Sequence, residues 1–214
     1  MDKKKLLFIV NVDWFFLSHR LPIALEAIDL GYEVHIATKV TDDLGLLESS
    51  GLIVHSLHLH RSSFVTIFSE FLEIFSVVRT VSPDILHLVT IKAVLLGGVV
   101  ARLTSTPAVV SSMSGLGFVF ISHGIPALLR RKTIAFLYHF ALGHSNQRVI
   151  FQNTNDRSQI SRLVRLPYEQ SLLIPGSGVD LLLYDKKMIP NGSPVIMLAA
   201  RLLSDKGVRE FVQS

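Results

Sequence analysis

The sequence contains no cysteine. That excludes a disulfide framework, a thiolate metal site and a cysteine nucleophile. It also has no membrane-spanning run. A transmembrane helix needs roughly 20 consecutive apolar residues, and the most apolar stretches, Ala93–Ala101 and Ile134–Leu142, are shorter and interrupted. The start, Met1-Asp2-Lys3-Lys4-Lys5, is basic, but no small-residue cleavage site follows its short apolar run, so the chain is expected in the cytoplasm. Internal repeats and low-complexity tracts are missing. So is the dinucleotide fingerprint: Gly115 and Gly117 make a Gly-x-Gly, but Phe120 stands where the third glycine would be. Acidic residues are in the minority, 17 against 21 Lys and Arg, for a formal charge of +4. This excess suits phosphate-bearing ligands or an anionic membrane surface, and suits ordinary solubility equally well.

What is present is a long alternation of apolar runs and amphipathic stretches. The 214 residues, 49% of them hydrophobic, suffice for one full domain and part of a second. Leu6–Val10 is an unbroken apolar run of strand length, and a polar and aromatic loop, Asn11–Arg20, follows. Pro22 suits the first turn of a helix that carries Ile23, Ala24, Ala27 and Ile28 at helical spacing and closes at Gly31. Glu33–Thr38 reads as a second strand. This is a βαβ unit of about 30 residues. Its right-handed crossover places the Val12–Arg20 loop at the carboxyl edge of the sheet, where open α/β sheets bind ligands.

Further along, Asp42–Ser50 reads as a short helix and Leu52–Leu57 as a strand. Phe64–Val81 reads as a long helix with Phe64, Ile67, Phe68, Phe71, Leu72, Phe75 and Val78 on its apolar face and Glu70 and Glu73 off it. Asp84–Val89 has the near-continuous apolar character of a strand buried on both faces. Ile91–Leu103 is a helix whose Gly97-Gly98 permits close approach of a neighbour. Ala108–Ser112 is a strand, Pro126–Leu142 a helix, Arg148–Gln152 a strand, Asn155–Val164 a helix and Ser171–Pro175 a short strand. The fold class is α/β, a doubly wound parallel Rossmann-like sheet. Residues 1–180 form its domain, 181–193 read as a linker, and 194–214 as the opening strand and turn of a second, incomplete Rossmann-like domain.

Several stretches together resemble the retaining GT-B glycosyltransferases of family 4, particularly bacterial members that build O-antigen and capsule sugars. They are Phe16–Pro22, Gly31–Val34, Pro83–His87, Ser114–Gly117, Ile174–Asp180 and Ala200–Gly207. They run in family order across nearly the whole chain. The resemblance implies two Rossmann-like domains, the first receiving the acceptor and the second binding a nucleotide-diphosphate-sugar. It implies a lipid-linked saccharide acceptor, work at the inner face of the cytoplasmic membrane, and no metal or other cofactor. The glutamate-bearing stretch that contacts the donor in this family has no counterpart before Ser214, so the chain is expected to be a fragment or truncated product, inactive alone.

Candidate site residues follow. Arg201 and Lys206 flank a strand-to-helix turn, where two cations and backbone amides hold a diphosphate; the resemblance implies that role, and two solvated loop cations are the plainer alternative. His87, in a buried strand, is either catalytic or a satisfied core histidine; the second histidine common in the family is replaced by Val89. Ser18, His19 and Arg20 face the expected acceptor cleft or pack a helix start. Lys92 begins a helix, where a lysine is misplaced unless an anion is near. Gly115 and Gly117 bring backbone close to a ligand, or simply make a turn. His55, His58 and His60 alternate, without a carboxylate at metal-ligand spacing. Arg130, Arg131 and Lys132, beside Phe136, Leu137, Tyr138 and Phe140, suit an anionic membrane surface or a core helix with one solvated face. No groove-reading motif supports nucleic acid. Two functions are expected: a retaining sugar transferase, or a non-catalytic acceptor-side binding module.

Overall fold

A computed structural model of the chain describes residues 3–59, 64–113, 135–179, 181–182, 184, 188, 192–200, 202 and 206–214. The chain forms two compact units, Met1–Gly178 and Val179–Ser214. In the first, strand β1 (Lys5–Val10) is buried along almost its whole length, which only a central strand with both faces covered can be. Around it lie β2 (Glu33–Thr38), β3 (Ile53–Ser56), β4 (Ile85–Val89), β5 (Ala108–Met113), β6 (Gln147–Phe151) and β7 (Ser171–Leu173). All six neighbouring pairs are parallel, in the order β3-β2-β1-β4-β5-β6-β7. The doubly wound fold class expected from the sequence is the one observed. The order reverses between β1 and β4, so a crevice opens at their carboxyl ends.

The helices cover two faces. On one, α1 (Asp13–His19), α2 (Leu21–Asp29) and α3 (Leu44–Ser49) bury Phe16, Ala24, Ala27 and Leu47 against Leu6, Phe8, Val10 and Ile36. On the other, α4 (Phe64–Val81) and α5 (Ile91–Leu103) bury Ile74, Val78, Val94, Val100 and Ala101 with Leu7, Ile9, Leu86, Leu88 and Tyr138. Residues 135–141 form α6, and Thr154–Val164 form α7, whose start is capped by Asn153 accepting from the Asp156 N–H. Gly97 and Gly98 do what their pairing predicts. A Cβ at Gly97 would enter the Leu88 side chain, and one at Gly98 would strike the Ala141 carbonyl.

Three expectations need correction. The Val12–Arg20 segment is not a loop; α1 occupies most of it, because Phe16 packs edge-on against Phe8 with centroids 5.4 Å apart. Helix α4 turns a different face inward. Glu70, Ile74, Val78 and Val81 are its buried stripe, while Phe68 and Leu72 are exposed. Apolar residues cover well over half of this helix, so periodicity alone does not choose a face, and the stripe that turns inward carries Glu70, paired with Lys92 at 2.9 Å. Third, 194–200 forms no strand. Val195, Ile196 and Met197 are 79–88% exposed, and the described residues of the second unit contain only helix α8 (Val208–Gln213) as a regular element. An apolar strand satisfies its backbone groups only against a partner strand.

Candidate functional site

The first turn of α1 is fixed by a buried carboxylate. Asp13 is fully buried and accepts from the Thr41 N–H at 2.5 Å, the Thr41 hydroxyl at 2.7 Å and the Trp14 N–H at 2.8 Å. Burial pushes this carboxyl up, but the hydrogen bonds, led by those from Thr41, outweigh it and hold the group below its ordinary value. The loop after β2 is thereby tied to the segment after β1. At the other end of α1, Ser18 Oγ bonds the Trp14 carbonyl at 2.8 Å and lies 2.6 Å from His19 Nδ1, while the His19 ring stacks on Phe15 at 4.3 Å.

Arg20 joins α1 to α2 and is only 6% exposed. One guanidinium nitrogen, Nη1, donates to the His19 carbonyl at 3.1 Å and to Ser177 Oγ at 3.0 Å. Its Nε has no acceptor, and among the described residues no carboxylate pairs with it. Burial lowers its pKa. Beside it, His87 stacks on Phe8 at 4.8 Å and has Nε2 2.9 Å from Ser112 Oγ. Burial first, and the Arg20 charge second, push His87 down to about 3, so the imidazole is neutral.

These residues line one cavity of about 180 Å³ over the carboxyl ends of β4 to β7, with His19, Arg20, His87, Ser112, Gln152 and Ser177 as its polar wall and Ile23, Ile150 and Ile174 among its apolar neighbours. Three sequence candidates, His19, Arg20 and His87, are therefore brought together. Ser112, Gln152 and Ser177 join them unforeseen, although Ser177 lies in the Gly-Ser-Gly of a quoted stretch and Gln152 directly follows a strand. Ser18 is exposed, with its hydroxyl engaged on Trp14 and His19.

Lys92 belongs elsewhere. It lines a second cavity of about 690 Å³ with Asn11, Thr90 and a mainly apolar wall that includes Phe68, Phe71, Leu95 and Leu137. The anion its position calls for is Glu70, whose two oxygens lie 3.0 and 2.9 Å from Lys92 Nζ. Thr90, the cap before α5, has φ +84°, a strained conformation for a β-branched residue, at the end of β4. His55 meets His35 at 3.0 Å, and His58 meets Glu73 at 3.4 Å. No group of three His, Cys, Asp or Glu suited to a metal occurs among the described residues. Gly115, Gly117, the Arg130–Lys132 cluster, His60 and Arg201 lie outside the described residues; Lys206 is exposed in the turn before α8.

The sequence profile of the Glycosyl transferase 4-like family matches residues 5–153, from β1 through β6. The chain belongs to that family. A Campylobacter jejuni (subsp. jejuni serotype O:2) protein, N,N'-diacetylbacillosaminyl-diphospho-undecaprenol alpha-1,3-N-acetylgalactosaminyltransferase, is 24% identical over 222 residues, covering 93% of this chain and 58% of that protein. Among solved structures, Anabaena Alr3699/HepE in complex with UDP and glucose superposes with a TM-score of 0.60 at 14% identity, over 86% of this chain and 47% of that one. A UDP-N-acetylglucosamine 2-epimerase from Rickettsia bellii gives 0.54 at 12% identity, over 80% and 44%. This member of the glycosyl transferase 4-like family thus spans about half the length of the proteins it resembles, and an epimerase shares its fold.

Proposed function

We propose that this chain is the acceptor-side part of a glycosyltransferase that moves a sugar from a nucleotide-diphosphate-sugar to a lipid-linked saccharide in surface polysaccharide synthesis. The family match over residues 5–153 carries this reading. The fold alone would serve an epimerase equally. The Campylobacter relative, whose name places its substrate on diphospho-undecaprenol, supports a polyprenyl-diphosphate acceptor, and the UDP held by the Anabaena protein supports a nucleotide donor.

The transfer is retaining. A same-face mechanism is part of this proposal, and it requires no carboxylate pair from the protein. The acceptor hydroxyl oxygen bonds to the anomeric carbon, the bond from that carbon to the diphosphate breaks, and the hydroxyl proton passes to the departing phosphate. Arg201 and Lys206 are assigned to that diphosphate, where cations stabilise the charge that develops; no metal is needed. His87 acts in this scheme as a neutral hydrogen-bonding group, since an imidazole pushed to about 3 is a poor base at neutral pH. Work at the membrane surface is part of the proposal. It is supported by the exposed Phe68, Leu72, Phe136 and Leu137 and by the apolar cavity beside them.

The test is an assay with UDP-sugars and a polyprenyl-diphosphate-linked saccharide, read by the mass of the lipid product. It is run on this chain and, where the gene continues in frame past Ser214, on the longer product. A lipid gaining one sugar is expected from the longer product. Acceptor binding without any gain in mass would point instead to a non-catalytic acceptor-side module, and epimerised UDP-sugar would overturn transfer.

A further inference from the structure

We propose that the cavity around Arg20 is an oxyanion site that takes the diphosphate of the lipid-linked acceptor. The argument begins with an unmatched charge. A guanidinium is never deprotonated in a protein, and taking it out of water is costly unless an anion and good hydrogen bonds meet it. Arg20 is 94% removed from solvent by its 6% exposure, yet what meets it within the described protein is one backbone carbonyl and one hydroxyl. Its Nε has no acceptor at all. A buried polar group without a partner calls for an explanation, and Arg20 is one of the residues that line a cavity.

The rest of that wall has matching chemistry. Ser177, Ser112 and Gln152 carry side-chain donors, and no described lining residue is acidic. Ser177 sits between Gly176 and Gly178, both in the left-handed region with φ of 70° and 72°, so its hydroxyl is held out on a tight loop towards Arg20. Such a set offers several N–H and O–H groups and one fixed positive charge to a group with many lone pairs. Guanidinium and phosphate suit each other, because the planar fork meets two oxygens at once. Neutral His87 sets no second cation against Arg20; burial first depresses its basicity, and the uncancelled Arg20 charge depresses it further. An anion bound at Arg20 relieves that, so the imidazole becomes more basic when the site is filled.

The oxyanion chemistry stands on these residues alone; the assignment of its source to the acceptor rests on the function proposed above. Inorganic pyrophosphate is the probe, titrated into this chain at constant ionic strength and followed by thermal shift and calorimetry, with acetate as the comparison anion. Saturable binding of pyrophosphate is expected, weakened at least tenfold in Arg20→Met and several-fold in Ser177→Ala, an exposed-loop change that leaves the core intact. The His87 ring resonances should titrate at higher pH with pyrophosphate present, a response that a purely structural Arg20 would not give. No saturable binding, equal binding in Arg20→Met and Ser177→Ala, or acetate binding as tightly as pyrophosphate would each overturn the proposal. Competition then separates the sources. Displacement of pyrophosphate by farnesyl diphosphate but not by UDP supports the acceptor assignment. Displacement by UDP alone keeps the oxyanion site and overturns the acceptor-side reading.

Discussion

His87 on β4 and Ser112 on β5 share a hydrogen bond of 2.9 Å across neighbouring parallel strands, with the imidazole stacked on Phe8 behind it. This pairing has a consequence for acid stability. The folded value of His87 is about 3 against 6.5 for the free side chain. Above about pH 6.5 both folded and unfolded states are neutral there and the full stability is present. As pH falls below that, the unfolded chain takes a proton that the fold refuses, so stability is lost down to about pH 3, by an amount on the order of several kcal/mol. His87→Gln should flatten the stability–pH curve by about one proton in that window, measured by urea unfolding at a series of pH values. An unchanged slope would mean that the ring is not held neutral.

Asp13 acts in a different window. Its carboxyl is held below its ordinary value of 3.8, so its contribution is present above that pH and is lost as pH falls through the lower, folded value. Asp13→Asn should cost about 1–3 kcal/mol at pH 7, since Thr41 and Trp14 lose a charged acceptor, and should abolish the part of the acid loss that lies below pH 4. A double titration of the parent and Asp13→Asn against urea resolves the two windows. Equal stability at pH 7 would show that the tie between the two loops is unimportant.

Gly98 is where α5 meets α6. Its substitution by Ala drives a methyl group into the Ala141 carbonyl, a collision with backbone that no rotamer relieves. Overpacking of this kind costs about 1–3 kcal/mol, so Gly98→Ala should lower the unfolding midpoint markedly. Gly45→Ala, within α3 where a Cβ meets nothing within 4 Å, should leave it unchanged or raise it, since Ala favours a helix over Gly. Equal midpoints would contradict the packing of α5 on α6.

The membrane part of the proposal concerns Arg130, Arg131 and Lys132. Each cation near an anionic leaflet contributes ~1 kcal/mol, and exposed Phe136 and Leu137 follow them in sequence. Co-sedimentation with vesicles should show binding to anionic but not neutral lipid, weakened by salt and by Arg130→Glu combined with Arg131→Glu. Recovery that ignores lipid charge would leave this stretch without a membrane role.

How much of this was legible in the sequence follows from where each signal resides. The central strands declare themselves because Leu6–Val10 and Leu86–Val89 are buried on both faces, so apolar character runs unbroken in the first and is interrupted only by His87 in the second. Gly97-Gly98 announced a close approach, and the approach is there. Helix α1 was hidden by Trp14, Phe15, Phe16 and Leu17, four apolar residues in succession that show no period. The inward position of Glu70 is not legible in the sequence, because its partner, Lys92, stands 22 residues away on another helix. The pairing of His35 with His55 depends on the register of β2 against β3. Arg20 stands out in the sequence by its position after the first strand, but its isolation from carboxylates exists only once the fold has gathered residues 20, 87, 112, 152 and 177.

The central claim is that this chain recognises the acceptor. The most direct measurement is binding of a polyprenyl-diphosphate-linked saccharide in bicelles to the isolated 214-residue chain, set beside binding of UDP-sugars under the same conditions. The account predicts saturable binding of the lipid-linked saccharide and none of comparable strength for a UDP-sugar. A chain that bound the UDP-sugar and ignored the lipid-linked saccharide would contradict it.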